Sequence, residues 1–351
     1  MIDNRDELER FLPELRASPY VSVDTEADSL YHYPVRLCLV QVSLPGWNAI
    51  IDPLADIDLT PLLDALVGRE LIFHGADFDL RVLYQTWGFR PTLVFDTMIA
   101  ARLLGMRSVG LGALVEKILG VRLEKASQKA NWGRRPLPEK LQEYARADTR
   151  FLYPLARVLR ADLEALKRLG WHAESSARLV DECARSSASD ADREWRIRGS
   201  THLDRKGLAA LRELWRWRED VAIRSHRPPY FVLSHESLIA LAEEVQRSAA
   251  DTIDLPARLP RRLEAGLRRA IDRARAIPSA AWPEVHEPSS DGPRRPLDTS
   301  RLHELERLRD VRARELDLEP SVIASRAAMV RLARGGGPDG LMSWQRELLE
   351  L

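Results

Sequence analysis

The spacing of apolar and polar positions changes character twice along the 351 residues. Residues 1–17 repeat apolar positions at helical spacing and lead into Tyr20-Val-Ser-Val-Asp24-Thr-Glu26, which reads as a strand. Residues 36–44 (RLCLVQVSL) form a second predicted strand and Trp47 to Asp52 a third, and the short Pro45-Gly46 link favours an antiparallel hairpin between them. After Pro61 the pattern becomes helix, then strand from Leu71 to Phe73, then helix from about Ala76 to Trp87. A short apolar stretch, Leu93-Val-Phe95, precedes a helix for which Asp96 supplies the N-cap. Helices over about 111–119 and 139–169 follow. Three strands in a meander, then alternating helix and strand, predict a mixed sheet covered by helices, an α/β domain over residues 1–170.

From 171 to 200 the chain turns Ser-, Ala- and charge-rich, which reads as a helical connector. Residues 201–280 are all-helical in pattern. Leu208, Leu211, Trp215 and Ala222 mark one face and Leu238, Leu241 and Ala242 another, with Pro228-Pro229 between them. Residues 281–298 form a Pro-rich linker, and 299–351 are helical again, interrupted by Gly335-Gly-Gly-Pro-Asp-Gly340. Charge is dense but balanced, with 53 Lys and Arg against 53 Asp and Glu, so a polyanionic partner would need a local patch. Cys38 and Cys183 make no CxxC pair, and the eight histidines lack metal-ligand spacing, which argues against a zinc site. No apolar run approaches the ~20 residues needed to cross a bilayer, and no leader is legible, so the expectation is a cytoplasmic protein that does not enter a membrane.

The chemistry lies in acidic residues from three segments. Asp24 and Glu26, two apart on a strand, project from one face, while Val23 and Thr25 face the other way. Asp79 follows the strand-to-helix junction Ile72-Phe-His74-Gly-Ala-Asp77-Phe-Asp79, where Asp77 competes as a ligand or serves as a cap and His74 is a candidate supporting donor. Tyr144 and Asp148 lie one helical turn apart. Four converging carboxylates repel one another unless divalent cations sit between them, and carboxylate-held metal pairs are recurrent catalysts of phosphodiester hydrolysis.

In this order and spacing, VSVDTEADSLYHYPVRLCLVQVS, IFHGADFDLRVLY, FDTMIAARLLG and WGRRPLPEKLQEYARADTRFLYPL resemble the tyrosine-bearing branch of the DEDD superfamily of 3′→5′ exonucleases, specifically the ribonuclease D family. The resemblance covers most of residues 20–160. It implies an RNase H-like domain with two divalent cations, Mg²⁺ or Mn²⁺. It also implies metal-binding and catalytic roles for Asp24, Glu26, Asp79 and Asp148, and a catalytic role for Tyr144. In such sites the first aspartate bridges both metals, the glutamate and last aspartate hold the metal that activates water, and the second-motif aspartate supports the other metal through water. The tyrosine, with an ordinary pKa near ~10, suits positioning water better than deprotonating it. Ala27 departs from the family, where many relatives carry an aromatic residue.

For substrate, the basic segment 122–135 offers Lys129, Trp132 and Arg134 near the tyrosine helix, and packing of Trp132 against the Pro136 turn is the competing reading. Residues 203–277 resemble a helicase-and-RNase-D C-terminal (HRDC) domain, and Arg261, Arg268 and Arg275 recur every seven residues opposite an apolar stripe. Residues 299–351 resemble the ribonuclease D tail, where a second, diverged HRDC-like copy is expected. The function these observations predict is a metal-dependent 3′→5′ exoribonuclease that trims RNA 3′ ends, with tRNA precursors as partners and nucleoside 5′-monophosphates as products. A DNA-directed exonuclease and a non-catalytic nucleic-acid adaptor are the alternatives.

Overall fold

Five strands build one mixed sheet in the computed structural model, which describes residues 1–123, 130–187, 194–247, 253–257, 259–285 and 296–351. The strands are β1 (Val21–Ala27), β2 (Leu37–Leu44), β3 (Trp47–Ile51), β4 (Glu70–Phe73) and β5 (Leu93–Asp96), in the order β3-β2-β1-β4-β5. The first three pair antiparallel, and β4 and β5 add parallel to β1. The hairpin turn falls at Pro45-Gly46, where Gly46 takes a φ of +76° that a side chain would disfavour. The mixed sheet is as the meander pattern predicts.

Helices cover both faces, which is why every residue of β2 is buried. Val21, Val23, Val40, Val42, Leu71 and Phe73 share one core cluster with apolar residues of α1 (Arg5–Ala17), α2 (Thr60–Leu66) and α3 (Asp77–Trp87). On the opposite face lie α4 (Thr97–Leu103), α5 (Leu111–Leu119), α6 (Glu139–Arg150) and α7 (Leu152–Ala165). The single helix predicted over 139–169 is two helices: Pro154, in the first turn of α7, has no N–H to give Arg150, and the chain resets at Phe151. α8 (Leu169–Ser187) supplies the helix expected in the 171–200 segment, and it packs into the sheet's own cores. Val180 and Cys183 join the α3-side core, and the His172 ring stacks on Phe95 at 4.2 Å while bonding the Asp96 carbonyl.

The chain separates into two compact units. Unit 1 comprises residues 1–27, 37–188 and 291–351, so the C-terminal helices α12 (Thr299–Glu315), α13 (Pro320–Ile323), α14 (Arg326–Ala333) and α15 (Ser343–Leu348) group with the sheet. Trp344 stacks on Trp171 of α8 at 4.8 Å, and buried Arg168 bonds the carbonyls of both Leu103 and Leu316. Gly105 lets the backbones meet there, because a Cβ on it would lie 2.0 Å from the Asp317 carbonyl oxygen. Unit 2 holds residues 28–36 together with 189–290, including α9 (Arg205–Ser225), α10 (His235–Arg247) and α11 (Arg261–Ala276). Leu208, Leu211, Leu238, Leu241, Leu267 and Ile271 form its core, from the apolar stripes read in the sequence. No described helix is long and apolar enough to cross a membrane.

Candidate active site

Strand alternation sets the geometry. Asp24 and Glu26 pair across the ladder with Gln41 and Leu39, which turns them toward the α6 side of the sheet. The helix α6 presents Tyr144 and Asp148 to them from one turn of its surface. It is fixed there by a 2.7 Å hydrogen bond between Ser43 of β2 and Thr149, and by Leu39, Ile50 and Ala145 packing beneath it. Carboxylate oxygens of Asp24, Glu26 and Asp148 all lie within 4.8 Å of one another.

Asp79 reaches the same cleft from the other face. Thr25, which the strand points toward α3, donates its hydroxyl to Asp79 at 2.5 Å. The turn before α3 is held by Asp96, whose carboxylate accepts from the N–H groups of Gly75 (3.0 Å) and Ala76 (2.8 Å) while capping α4 through Met98 and Ile99. Asp77 is committed elsewhere, to Arg81 at 2.8 Å, so Asp79 and not Asp77 lines the cleft. His74 bonds the Thr97 hydroxyl through Nδ1 at 2.9 Å and also lines it. The cleft has a volume of about 690 Å³, and Phe78, Met98 and Leu111 give it an apolar side.

Crowding of like charges dominates the electrostatics. Burial, and then the charges of Asp79, Asp148 and Glu26, hold the Asp24 carboxyl well above the usual range. Burial and the neighbouring aspartates push Glu26 up to about 8, and burial raises Asp79 and Asp148 to about 6 each. Burial and the adjacent carboxylates lift Tyr144 far above its ordinary value, and its hydroxyl hydrogen-bonds to Asp148. The site therefore favours positive charge. Its all-oxygen donor set fits a hard divalent cation, for which bound oxygens lie at most about 4.2 Å apart, so small side-chain rotations suffice. Asp79, bonded to Thr25, stands outside the Asp24–Glu26–Asp148 group, the closest such group among the described residues.

The nucleic-acid residues expected from sequence fare unevenly. Trp132 is a correction: at 1% exposure it is a core residue, packed on Cys38, Leu39, Ile50 and Leu137, with its ring 6.0 Å from that of Tyr144. Arg135 fixes that turn by pairing with buried Asp52 at 2.6 Å and bonding the Cys38 and Trp132 carbonyls. Arg134 is exposed, and Lys129 lies outside the described residues. Arg261 and Arg268 are exposed on α11 and Arg275 is half-buried. Thr25 and Phe78 escaped the sequence reading, since nothing local marks a threonine as the partner of an aspartate 54 positions away.

Comparison with known proteins agrees with this geometry. A family profile described as 3′-5′ exonuclease matches residues 1–164, and an HRDC domain profile matches residues 207–265. The ribonuclease D of Gluconacetobacter diazotrophicus is 32% identical over 99% of this chain and 89% of its own length. That of Pseudomonas paraeruginosa is 31% identical over 95% and 91%. Among solved structures, Escherichia coli RNase D, described as an exoribonuclease involved in structured RNA processing, superposes with a TM-score of 0.79. It is 25% identical, with 100% of this chain and 98% of that one covered.

Proposed function

Because the chain belongs to the ribonuclease D family and is a 3′→5′ exoribonuclease, we propose that it removes 3′-terminal nucleotides at the cleft of Asp24, Glu26, Asp79, Tyr144 and Asp148, releasing nucleoside 5′-monophosphates. The observation that carries this assignment is the approach of Asp24, Glu26 and Asp148 oxygens to within 4.8 Å of one another. Three half-buried carboxylates at that spacing repel one another, and a cation between them relieves the repulsion.

The family depends on divalent metal, and this chain's Asp24, Glu26 and Asp148 would hold it, with Asp79 supporting through its Thr25-bonded carboxylate. Bound as a pair of Mg²⁺ or Mn²⁺ ions, the metal supplies a nucleophilic water of lowered pKa and offsets charge on the departing 3′ oxygen. The protein does the rest. Tyr144 keeps its proton at neutral pH and donates a hydrogen bond to Asp148, so its hydroxyl oxygen can accept from, and so orient, a water beside Glu26. Phe78, 48% exposed at the rim, offers a face on which the terminal base can stack whatever its identity. The reading places catalysis within residues 1–170 and RNA holding within 201–280, with tRNA precursors as natural substrates in the cytoplasm. Family membership supports it, as does the HRDC match.

The test is incubation of 5′-labelled RNA and the equivalent DNA, each with a 3′ overhang, with Mg²⁺ or Mn²⁺, beside Asp24→Asn. The expected result is a metal-dependent ladder shortening RNA from its 3′ end, nearly abolished by Asp24→Asn while that variant keeps its thermal transition. Substantial residual turnover in the variant would remove Asp24 from the metal set, and a ladder on DNA alone would overturn the choice of RNA.

A further inference from the structure

Unit 2 carries an exposed aromatic surface that the carboxylate cleft does not use. Two segments far apart in sequence make it. Residues 28–36, separated from Glu26 only by Ala27, are anchored within unit 2. The Tyr33 hydroxyl donates to Glu219, which pairs with buried Arg218 at 2.8 Å, and Tyr33 packs on the core of α9, α10 and α11. Buried Asp28 accepts from the Arg36 backbone N–H at 3.0 Å and its guanidinium at 2.6 Å, closing the loop. The His32 ring then stacks on His226 at 5.0 Å, joining the loop to the connection between α9 and α10.

This frame leaves large rings outside. Tyr31 is 47% exposed, Tyr230 72% and Phe231 61%, and the last two meet edge to face at 5.9 Å. Arg224, in the last turn of α9, and Arg227, in the connection, are both exposed. Neither 29–36 nor 221–235 contains a single Asp or Glu, although 53 such residues are spread along the chain. Apolar rings alone would suit many partners. Rings interleaved with arginines on carboxylate-free segments suit a strand of bases and phosphates, since every base has a π-face and every linkage an anionic charge.

We propose that this surface of unit 2 binds a single-stranded stretch of the RNA substrate, with bases stacked on Tyr31, Tyr230 and Phe231 and phosphates paired with Arg224 and Arg227. The choice of RNA rests on the exoribonuclease reading. Stacking tolerates any base, which an enzyme that removes nucleotides in succession needs from its substrate-holding surface.

The experiment compares full-length proteins, all carrying Asp24→Asn so that bound RNA survives. Probes are 5′-labelled oligouridine of about 16 nucleotides and a blunt RNA duplex of the same length. Wild-type protein is first shown to shorten the oligouridine; failure there would count against the exonuclease reading and not against the surface. Joint Tyr31→Ala, Tyr230→Ala and Phe231→Ala should weaken oligouridine binding by at least about fivefold, the effect of losing one stacked base. Its thermal transition should match that of Asp24→Asn alone, because the rings are exposed. Arg224→Gln with Arg227→Gln should flatten the slope of log affinity against log salt by about 1.4. Unchanged affinity in the aromatic variant overturns the proposal. An equal loss on the blunt duplex overturns it too.

Discussion

Tyr144 shows how a single residue's surroundings decide its role. A phenol with an ordinary pKa near ~10 is already a poor base at neutral pH, and burial beside Asp148, Glu26 and Asp24 moves it further from ionisation. Tyr144→Phe removes one oriented donor and leaves every carboxylate in place. We expect kcat to fall about a hundredfold, the low end for a positioned polar side chain, and by less than in Asp24→Asn. Steady-state kinetics on oligoribonucleotides check this, and equal losses in the two variants would give the hydroxyl a larger part. The kcat of the wild type should show no alkaline limb attributable to Tyr144 below about pH 10, because its titration lies above the ordinary value.

Elements decide which residues meet. α6 is held against β1 in part by the segment before it, whose Trp132 is buried in a cluster that includes Ala145 of the helix. Trp132→Ala should therefore cost about 3–5 kcal/mol of stability through the cavity left behind, read as a lower urea midpoint, with RNA affinity of the folded fraction unchanged. A loss of affinity without a loss of stability would return Trp132 to the RNA surface. The α11 stripe makes the opposite case. Leu267, Ile271 and Ala274 are buried on one side, and Arg261 and Arg268 are exposed on the other. Replacing Arg261, Arg268 and Arg275 by Gln should flatten the salt dependence of RNA binding by about 2 in slope, and an unchanged slope would make the stripe a solvated face.

At the scale of the whole molecule, the carboxylate cluster ties folding to pH and metal. Asp79 and Asp148 titrate at about 6 and Glu26 at about 8 in the folded chain, against 3.8 and 4.5 ordinarily. A raised carboxyl pKa means that the folded state keeps protons the unfolded state has released. Its stabilising contribution is complete below about pH 4 and is lost as pH rises through about 6 and 8. A divalent cation needs ionised carboxylates, so it offsets the loss where the loss is greatest. Thermal melts with Mg²⁺ or with chelator, at about pH 5 and about pH 8, should show a larger metal-induced rise in Tm at the higher pH. The Asp24→Asn variant should show a smaller rise, and a metal effect independent of pH would separate the cluster from metal binding.

Local periodicity determined much of this protein. The two-residue repeat of a strand places Asp24 and Glu26 on one face, the helical turn aligns Tyr144 with Asp148, and Asp96 caps α4 as its position before the helix predicts. Each of these depends on neighbours a few positions away. Only the tertiary structure decided that Thr25 serves Asp79, that Trp132 is core, and that a Ser-rich helix seats Val180 and Cys183 against the sheet. The same holds for residues 28–36 joining the helices of unit 2 and for the C-terminal helices grouping with the sheet. These arrangements join segments tens to hundreds of residues apart. An amphipathic ring or a mixed-composition helix has no local signal for which surface will bury it, because burial is set by the partner that packs against it.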